Sequence, residues 1–198
     1  MKKVILSLAI LAGVTSAANA QTRFGVKAGL NLANVTAKDI DGNKNLLGAA
    51  AGVMADVSFS DLISFHPELL FSQKGVRAED SGIKGQTRLN YIDLPLLLRV
   101  KADGLFFEAG PQAGFLISRK SEATVTGVGS GSNTSTDGIR KVDIGYIAGV
   151  GYQLPAGLEF GVRYNGGISD LSDTNNSSSN KTRNSVFQFQ VGYLFGGK

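Results

Sequence analysis

The sequence predicts an all-β chain that folds as an eight-stranded antiparallel up-and-down transmembrane β-barrel. Three observations predict it. Apolar and polar residues alternate with a period of two through eight segments. The connections between those segments alternate between short and long. Nearly all the aromatic side chains fall on the apolar face of the alternation.

Residues 1–20 read as a cleaved secretory signal peptide, which leaves residues 21–198 as the barrel domain. Lys2 and Lys3 form a short positive start and Val4 to Val14 an apolar run. Ala18-Asn19-Ala20 then fits the small-x-small cleavage pattern ahead of Gln21. The run is too short to cross a bilayer as a helix, which takes about 20 residues. The chain has no cysteine, so thiol-linked lipid anchoring, disulfide staples and thiolate metal sites are all excluded. The formal net charge is +4, and +2 without Lys2 and Lys3, which is too weak to argue for nucleic acid. No later stretch is apolar enough for a transmembrane helix. Such a chain can enter lipid only as a closed barrel, where every strand's backbone groups are paired.

The first strand places Phe24, Val26, Ala28, Leu30 and Leu32 on one face, against Arg23, Lys27 and Asn31 with Gly25 and Gly29. The second aligns Ala49, Ala51, Val53, Ala55, Val57 and Phe59. The third aligns Ile63, Phe65, Pro67, Leu69 and Phe71 against His66, Glu68, Ser72 and Lys74. The fourth aligns Ile92, Leu94, Leu96, Leu98 and Val100 against Tyr91, Asp93, Arg99 and Lys101. In the fifth, Leu105, Phe107, Ala109, Ala113, Phe115 and Ile117 oppose Glu108, Gln112 and Ser118. In the sixth, Val142, Ile144, Tyr146, Ala148, Val150 and Tyr152 oppose Asp143, Gln153 and the glycines 145, 149 and 151. In the seventh, Leu158, Phe160, Val162 and Tyr164 oppose Glu159, Arg163 and Asn165. In the eighth, Phe187, Phe189, Val191, Tyr193 and Phe195 oppose Gln188, Gln190 and Gly192. Each segment has about the 9–11 residues a tilted transmembrane strand requires.

Residues 34–47, 75–87, 119–139 and 169–184 are long and polar, whereas 60–62, 102–104 and 155–157 are short. Outer-membrane barrels show this asymmetry, with short periplasmic turns and long extracellular loops. The last two long segments offer trypsin sites at Arg119, Lys120, Lys181 and Arg183. Of 11 Phe and 5 Tyr, only Tyr91 and Phe106 leave the apolar face. Many of the rest gather near strand ends, as interfacial girdles do. The alternation itself does not say which face is inside. A soluble barrel with its apolar face inward therefore stands as the alternative fold.

The stretches Phe24–Asn34, His66–Gly75 and Leu89–Arg99 resemble the PorT-like family of outer-membrane β-barrels, and Ala109–Ser118 resembles its fifth strand. The blocks Pro-Glu-Leu-Leu-Phe-Ser-Gln-Lys-Gly at 67–75 and Tyr-Ile-Asp-Leu-Pro-Leu-Leu at 91–97 are the most specific part of the likeness. The resemblance implies the barrel fold, the bacterial outer membrane and support of protein secretion. It carries no catalytic motif.

Few residues suggest chemistry. Ser64, His66 and Glu68 share one face of one strand and invite a hydrolase reading. Same-face neighbours on a strand lie about 7 Å apart, too far for the nucleophile–base hydrogen bond that reading needs. The better expectation for His66 is a lumen pair with Asp56, opposite it if Phe59 pairs with Ile63. Asp103-Gly104 is a strong type I′ hairpin signal, and counting back from it sets Arg99 against Glu108 as a structural charge pair. Asp39, Asp41, Asn43 and Asn45 faintly suggest a calcium loop, but Lys44 and Ala50 occupy positions where that loop needs glycine and an acid. Residues 127–138 and 172–180 are Gly/Ser/Thr/Asn-rich loop tips. No catalytic residue, cofactor or metal site is expected. The functional expectation is a structural or interaction role in the outer membrane. The partners implied are outer-membrane lipid, the barrel-assembly machinery and a secretion or surface component. A lipid-modifying or proteolytic enzyme is the alternative class.

Overall fold

The computed structural model describes residues 21–36, 43–80, 83–125, 129–134, 140–170 and 183–196. The proposed signal peptide and most of the calcium-like segment lie outside them. Among the described residues eight long strands follow in chain order: β1 (Gln21–Thr36), β2 (Leu46–Ser58), β3 (Ile63–Asp80), β4 (Ile83–Ala102), β5 (Leu105–Val125), β6 (Val142–Gln153), β7 (Leu158–Gly167) and β8 (Arg183–Leu194), with two short segments at Asn43–Lys44 and Gly129–Asn133. Each pairs antiparallel with its neighbour in sequence, and β8 returns to β1 in a ladder from Gly25↔Leu194 to Thr36↔Arg183. The meander is closed by the β1–β8 ladder, so the membrane-spanning rows have no edge strand among the described residues.

Local chemistry sets the register. Asp103 and Gly104 both adopt positive φ, at 46° and 86°. Those values suit the type I′ turn, whose twist matches the strands it joins. Ala102 therefore pairs with Leu105, Val100 with Phe107, and Arg99 with Glu108. At the preceding turn, the Phe59 amide donates to the Ile63 carbonyl at 2.9 Å. That bond carries the register inward to Val57↔Phe65.

Exposure decides the faces. The fully buried set includes Lys27, Asp56, His66, Glu68, Lys74, Asp93, Arg99, Glu108, Glu159 and Arg163. The exposed set is a continuous belt of Phe, Tyr, Leu, Ile and Val from all eight strands. A soluble barrel would reverse this arrangement, so the soluble alternative fails. Tyr91 and Phe106, the two aromatics the alternation placed off the apolar face, are buried in the lumen.

Three expectations about the connections need correction. In 34–47, β1 runs on to Thr36, the short segment Asn43–Lys44 pairs with Ala78 and Arg77 of β3, and β2 begins at Leu46. Residues 75–87 form no long loop: β3 and β4 continue to Asp80 and from Ile83, paired row by row. Part of 119–139 is likewise sheet. β5 runs to Val125, and the short segment Gly129–Asn133 pairs back onto it. Above the membrane both faces of a strand are wet, so the apolar alternation fades although the ladder continues. A register shift at Asn90/Tyr91 then turns Ser118, expected in the lumen, to the outer face, where it accepts a hydrogen bond from Asn90 at 2.8 Å. A single extra residue in a bulge produces such a flip.

Protease access changes accordingly. Arg119 and Lys120 lie in the β5 ladder opposite Leu89 and Arg88, and paired sheet resists trypsin. Arg140 and Lys141 are exposed and precede β6. Trypsin added to intact cells should therefore cut after Arg140 or Lys141 and spare Arg119 and Lys120. Cleavage that needs a broken outer membrane would invert the proposed orientation.

Candidate functional site

The lumen is the most elaborate constellation in the molecule. Every strand sends its second face inward, and a narrow barrel has space only for side chains. At its centre Arg99 on β4 donates from Nη1 to Glu159 Oε2 and from Nη2 to Glu108 Oε2, both at 2.8 Å. Its guanidinium carbon stacks 3.9 Å from the centroid of the Phe106 ring. Arg163 on β7 reaches across the lumen to Glu68 Oε2 at 2.8 Å. Lys27 on β1 contacts Glu68 at 2.5 Å and Glu159 at 3.5 Å. Gln190 on β8 donates to the other oxygen of Glu108, Oε1, at 3.1 Å.

Below this layer Asp56 gathers three groups: Lys101 at 2.5 Å, Arg23 at 3.0 Å and His66 Nδ1 at 3.4 Å. The other imidazole nitrogen of His66 lies 3.1 Å from Arg99 Nη2. A guanidinium can only donate, so Nε2 is the acceptor and Nδ1 carries the proton toward Asp56. Both ring nitrogens are thus engaged, and the side chain has no solvent access. Ser64 and Glu68 share the face of His66 as expected, and all three are buried.

Above the central layer Lys74 bridges Asp93 at 2.9 Å and Asp143 at 3.9 Å, and stands 4.7 Å over the Tyr91 ring. Asp143 accepts from Ser169 Oγ at 2.7 Å and from Asn184 Nδ2 at 2.8 Å. One carboxylate therefore holds both sides of the last long connection. The six cations Arg23, Lys27, Lys74, Arg99, Lys101 and Arg163 face the six carboxylates Asp56, Glu68, Asp93, Glu108, Asp143 and Glu159. Charge balance is what a desolvated interior requires, since an unpaired buried ion is costly.

Glycines make room for this network. A Cβ at position 149 would stand 2.7 Å from the Arg163 Cβ, and one at 151 would stand 2.3 Å from the Phe106 ring. The glycine column of β6 is therefore the space that Arg163 and Phe106 occupy. No group of three or more His, Cys, Asp or Glu suited to a metal ion occurs among the described residues.

Sequence reasoning singled out Arg99, Glu108, Asp56 and His66, and the structure places all four in this network. It passed over Glu159, Arg163, Lys27 and Glu68 as partners, although it put them on the lumen face. Their contacts cross the barrel rather than a ladder: Arg163 and Glu68 are 95 residues apart. Charge on an inward face was the available signal, but strand register carries no information about which charges meet across a lumen.

A filled lumen has an electrical consequence. Planar-bilayer recordings of the refolded protein should show no steady conductance. A stable open level would overturn the picture of a side-chain plug.

Outside the membrane β3, β4, β5 and the segment Gly129–Asn133 form a projecting sheet. Strands of 18, 20 and 21 residues are about twice what a bilayer needs. A cleft of about 630 Å³ lies against it, lined by Val76, Gln86, Thr87, Arg119, Ser121, Glu122, Ser132 and Asn133. Hydrogen bonds from Lys120 and Gln86 hold the Glu122 carboxyl below the ordinary glutamate range.

A closed meander with an apolar exterior, aromatic-rich rims and a polar, neutralised interior defines a small β-barrel of the bacterial outer membrane. The chain belongs to the family of the outer membrane protein beta-barrel domain, whose model matches residues 18–173. No curated protein matches it in sequence. Among solved structures it is similar to Ail, the attachment invasion locus protein of Yersinia pestis, at 15% identity and a TM-score of 0.50, over 88% of this chain and 97% of that one. It is similar to Neisserial surface protein A at 15% identity and a TM-score of 0.50, over 87% and 97% of the two chains. Likeness at this level is likeness of fold.

Proposed function

We propose that the protein is a non-enzymatic interaction component of the outer membrane, in which the barrel anchors a docking sheet held outside the cell. The observation that carries this reading is the excess length of β3, β4 and β5, which has no use inside a bilayer and builds a sheet with a cleft. The lumen supports it from the other side. Its buried cations and carboxylates pair with one another and fill the space between the strands. The one histidine of the chain is sealed between Asp56 and Arg99, so no observation favours a lipid-modifying or proteolytic enzyme. The resemblance of 67–75 and 91–97 to PorT-like barrels suggests protein secretion as the setting, with a secretion component as the docked partner.

A photo-reactive phenylalanine analogue at Thr87 or Asn133, both on the cleft, tests the proposal in intact cells. The expected result is a discrete protein adduct from these positions and lipid adducts alone from Leu98 on the apolar belt. Adducts that contain a secretion component support the specific setting. Adducts with another surface protein support docking and remove the secretion role. An absence of protein adducts at both cleft positions would sink the proposal.

A further inference from the structure

The end of the barrel that carries the three short turns holds a cavity of about 610 Å³. Outer-membrane barrels keep that end in the periplasm. The buried ring of Phe106 forms its floor, and Leu62, Tyr152, Leu154 and Pro155 form apolar walls. Arg23 and Lys101 line it from the lumen side, while Asp61 and Asp103 stand exposed on the turns. Backbone bonds tie the turns into one rim. The Lys101 amide donates to the Leu62 carbonyl and the Gln153 amide to the Gly104 carbonyl, both at 2.7 Å. The Tyr152 ring packs on Gly104, where a Cβ would stand 2.7 Å from it. The cavity is therefore preformed, as small-molecule sites usually are.

Its charge is what sets it apart from the rest of the lumen. The central layer balances Lys27, Arg99 and Arg163 against Glu68, Glu108 and Glu159. The layer at the mouth sets two cations on one carboxylate. Arg23 at 3.0 Å and Lys101 at 2.5 Å both donate to Asp56 Oδ2, and Oδ1 faces His66 Nδ1 at 3.4 Å. Asp56 needs only one of them for neutrality. Among the described residues neither cation bonds any other side chain. Lys101 thus spends one of its three N–H donors and Arg23 one of its five. Their side chains are 16% and 18% exposed, so the unused donors have an open side at the cavity. Asp61 and Asp103 form no ion pair among the described residues, and they place negative charge on the rim.

We propose that this cavity binds a short free peptide as its zwitterion. The terminal carboxylate accepts from Arg23 and Lys101, an apolar last side chain lies against Phe106 and Tyr152, and the ammonium faces Asp61 and Asp103. A carboxylate has two oxygens and so receives a guanidinium and an ammonium together. An inorganic anion would use the two cations and gain nothing from the apolar walls or the acidic rim. The site is at the opposite end of the barrel from the docking sheet and does not depend on it.

The test is an NMR titration of the refolded protein in uncharged detergent micelles with the tripeptide Ala-Ala-Phe. The amides of Asp103, Gly104 and Gln153 should shift and saturate, and those of Gly131 to Asn133 should not move. The C-terminal amide of the peptide should bind at least tenfold more weakly. The N-acetyl form should bind at least threefold more weakly, a smaller loss because the rim charges are exposed and screened. Lys101→Gln should keep the fold, since Arg23 still neutralises Asp56, and should bind the peptide at least tenfold more weakly. Lys141→Gln, which removes an exposed cation ahead of β6, should bind as the wild type does. Inorganic phosphate at the peptide's concentration should not displace it. If Lys101→Gln fails to fold, the two blocked peptides on the wild type decide. Equal binding of either blocked peptide, undiminished binding by folded Lys101→Gln, displacement by phosphate, or no saturating shift at the rim would each overturn the proposal.

Discussion

Replacing Arg99 with alanine should remove about 3–5 kcal/mol of stability, the range expected when one member of a buried ion network is deleted. Arg99 has no exposed surface and serves Glu108, Glu159 and His66 while stacking on Phe106. Its removal leaves two carboxylates with one fewer charge between them. Lys27 at 3.5 Å from Glu159 and Arg163 at 3.8 Å from Glu108 compensate only in part. Arg99→Lys should restore a minority of the loss. A single ammonium cannot span two carboxylates with the geometry of a planar fork, and it gives up the stacked contact. The measurement is urea unfolding in lipid vesicles, and the pairing itself is read from a double-mutant cycle with Glu108→Ala. A coupling of about 0.5–3 kcal/mol is expected for groups in one network. Additive losses would mean that Arg99 and Glu108 do not act together. Full rescue by lysine would mean that bidentate geometry contributes nothing.

This network marks how far the sequence could be read. The partition of faces was legible because alternation in every strand points the same way. Arg99 against Glu108 was legible because the Asp103-Gly104 turn permits one register. Asp56 beside His66 followed from the Phe59–Ile63 turn in the same manner. Contacts across the lumen were not legible. They depend on how far each strand is sheared against the one facing it, a property of closure rather than of any one hairpin. The projecting sheet was missed for a different reason. Gln86, Thr87, Ser121 and Ser132 belong to a sheet wet on both faces, and such strands have no apolar face to show. Ser118 was placed on the wrong face because the register shift at Asn90/Tyr91 leaves no turn residue to announce it.

Leu96→Arg should cost about 2–4 kcal/mol, the penalty for a cation at the bilayer midplane on the lipid face of a barrel. Five lipid-facing residues of β4 cross the belt, Ile92, Leu94, Leu96, Leu98 and Val100, and Leu96 is the central one. It is 41% exposed outward, next to Pro67 on the neighbouring strand. An arginine there is too far from either interface to place its charge in water without thinning the bilayer locally. Val100, in the row nearest the periplasmic turn, is the depth control. Val100→Arg should cost no more than about 1 kcal/mol, because the side chain there reaches the headgroups. Leu97 is the control for the face. It is fully buried opposite His66, and Leu97→Gln places an amide among lumen donors and acceptors. Its cost should stay near 1–2 kcal/mol, roughly that of a buried polar group left partly satisfied. Refolding all three variants into vesicles and comparing urea midpoints separates depth from face. A penalty at Val100 equal to that at Leu96 would move the membrane belt along the barrel axis, and a larger penalty at Leu97 than at Leu96 would turn the barrel inside out.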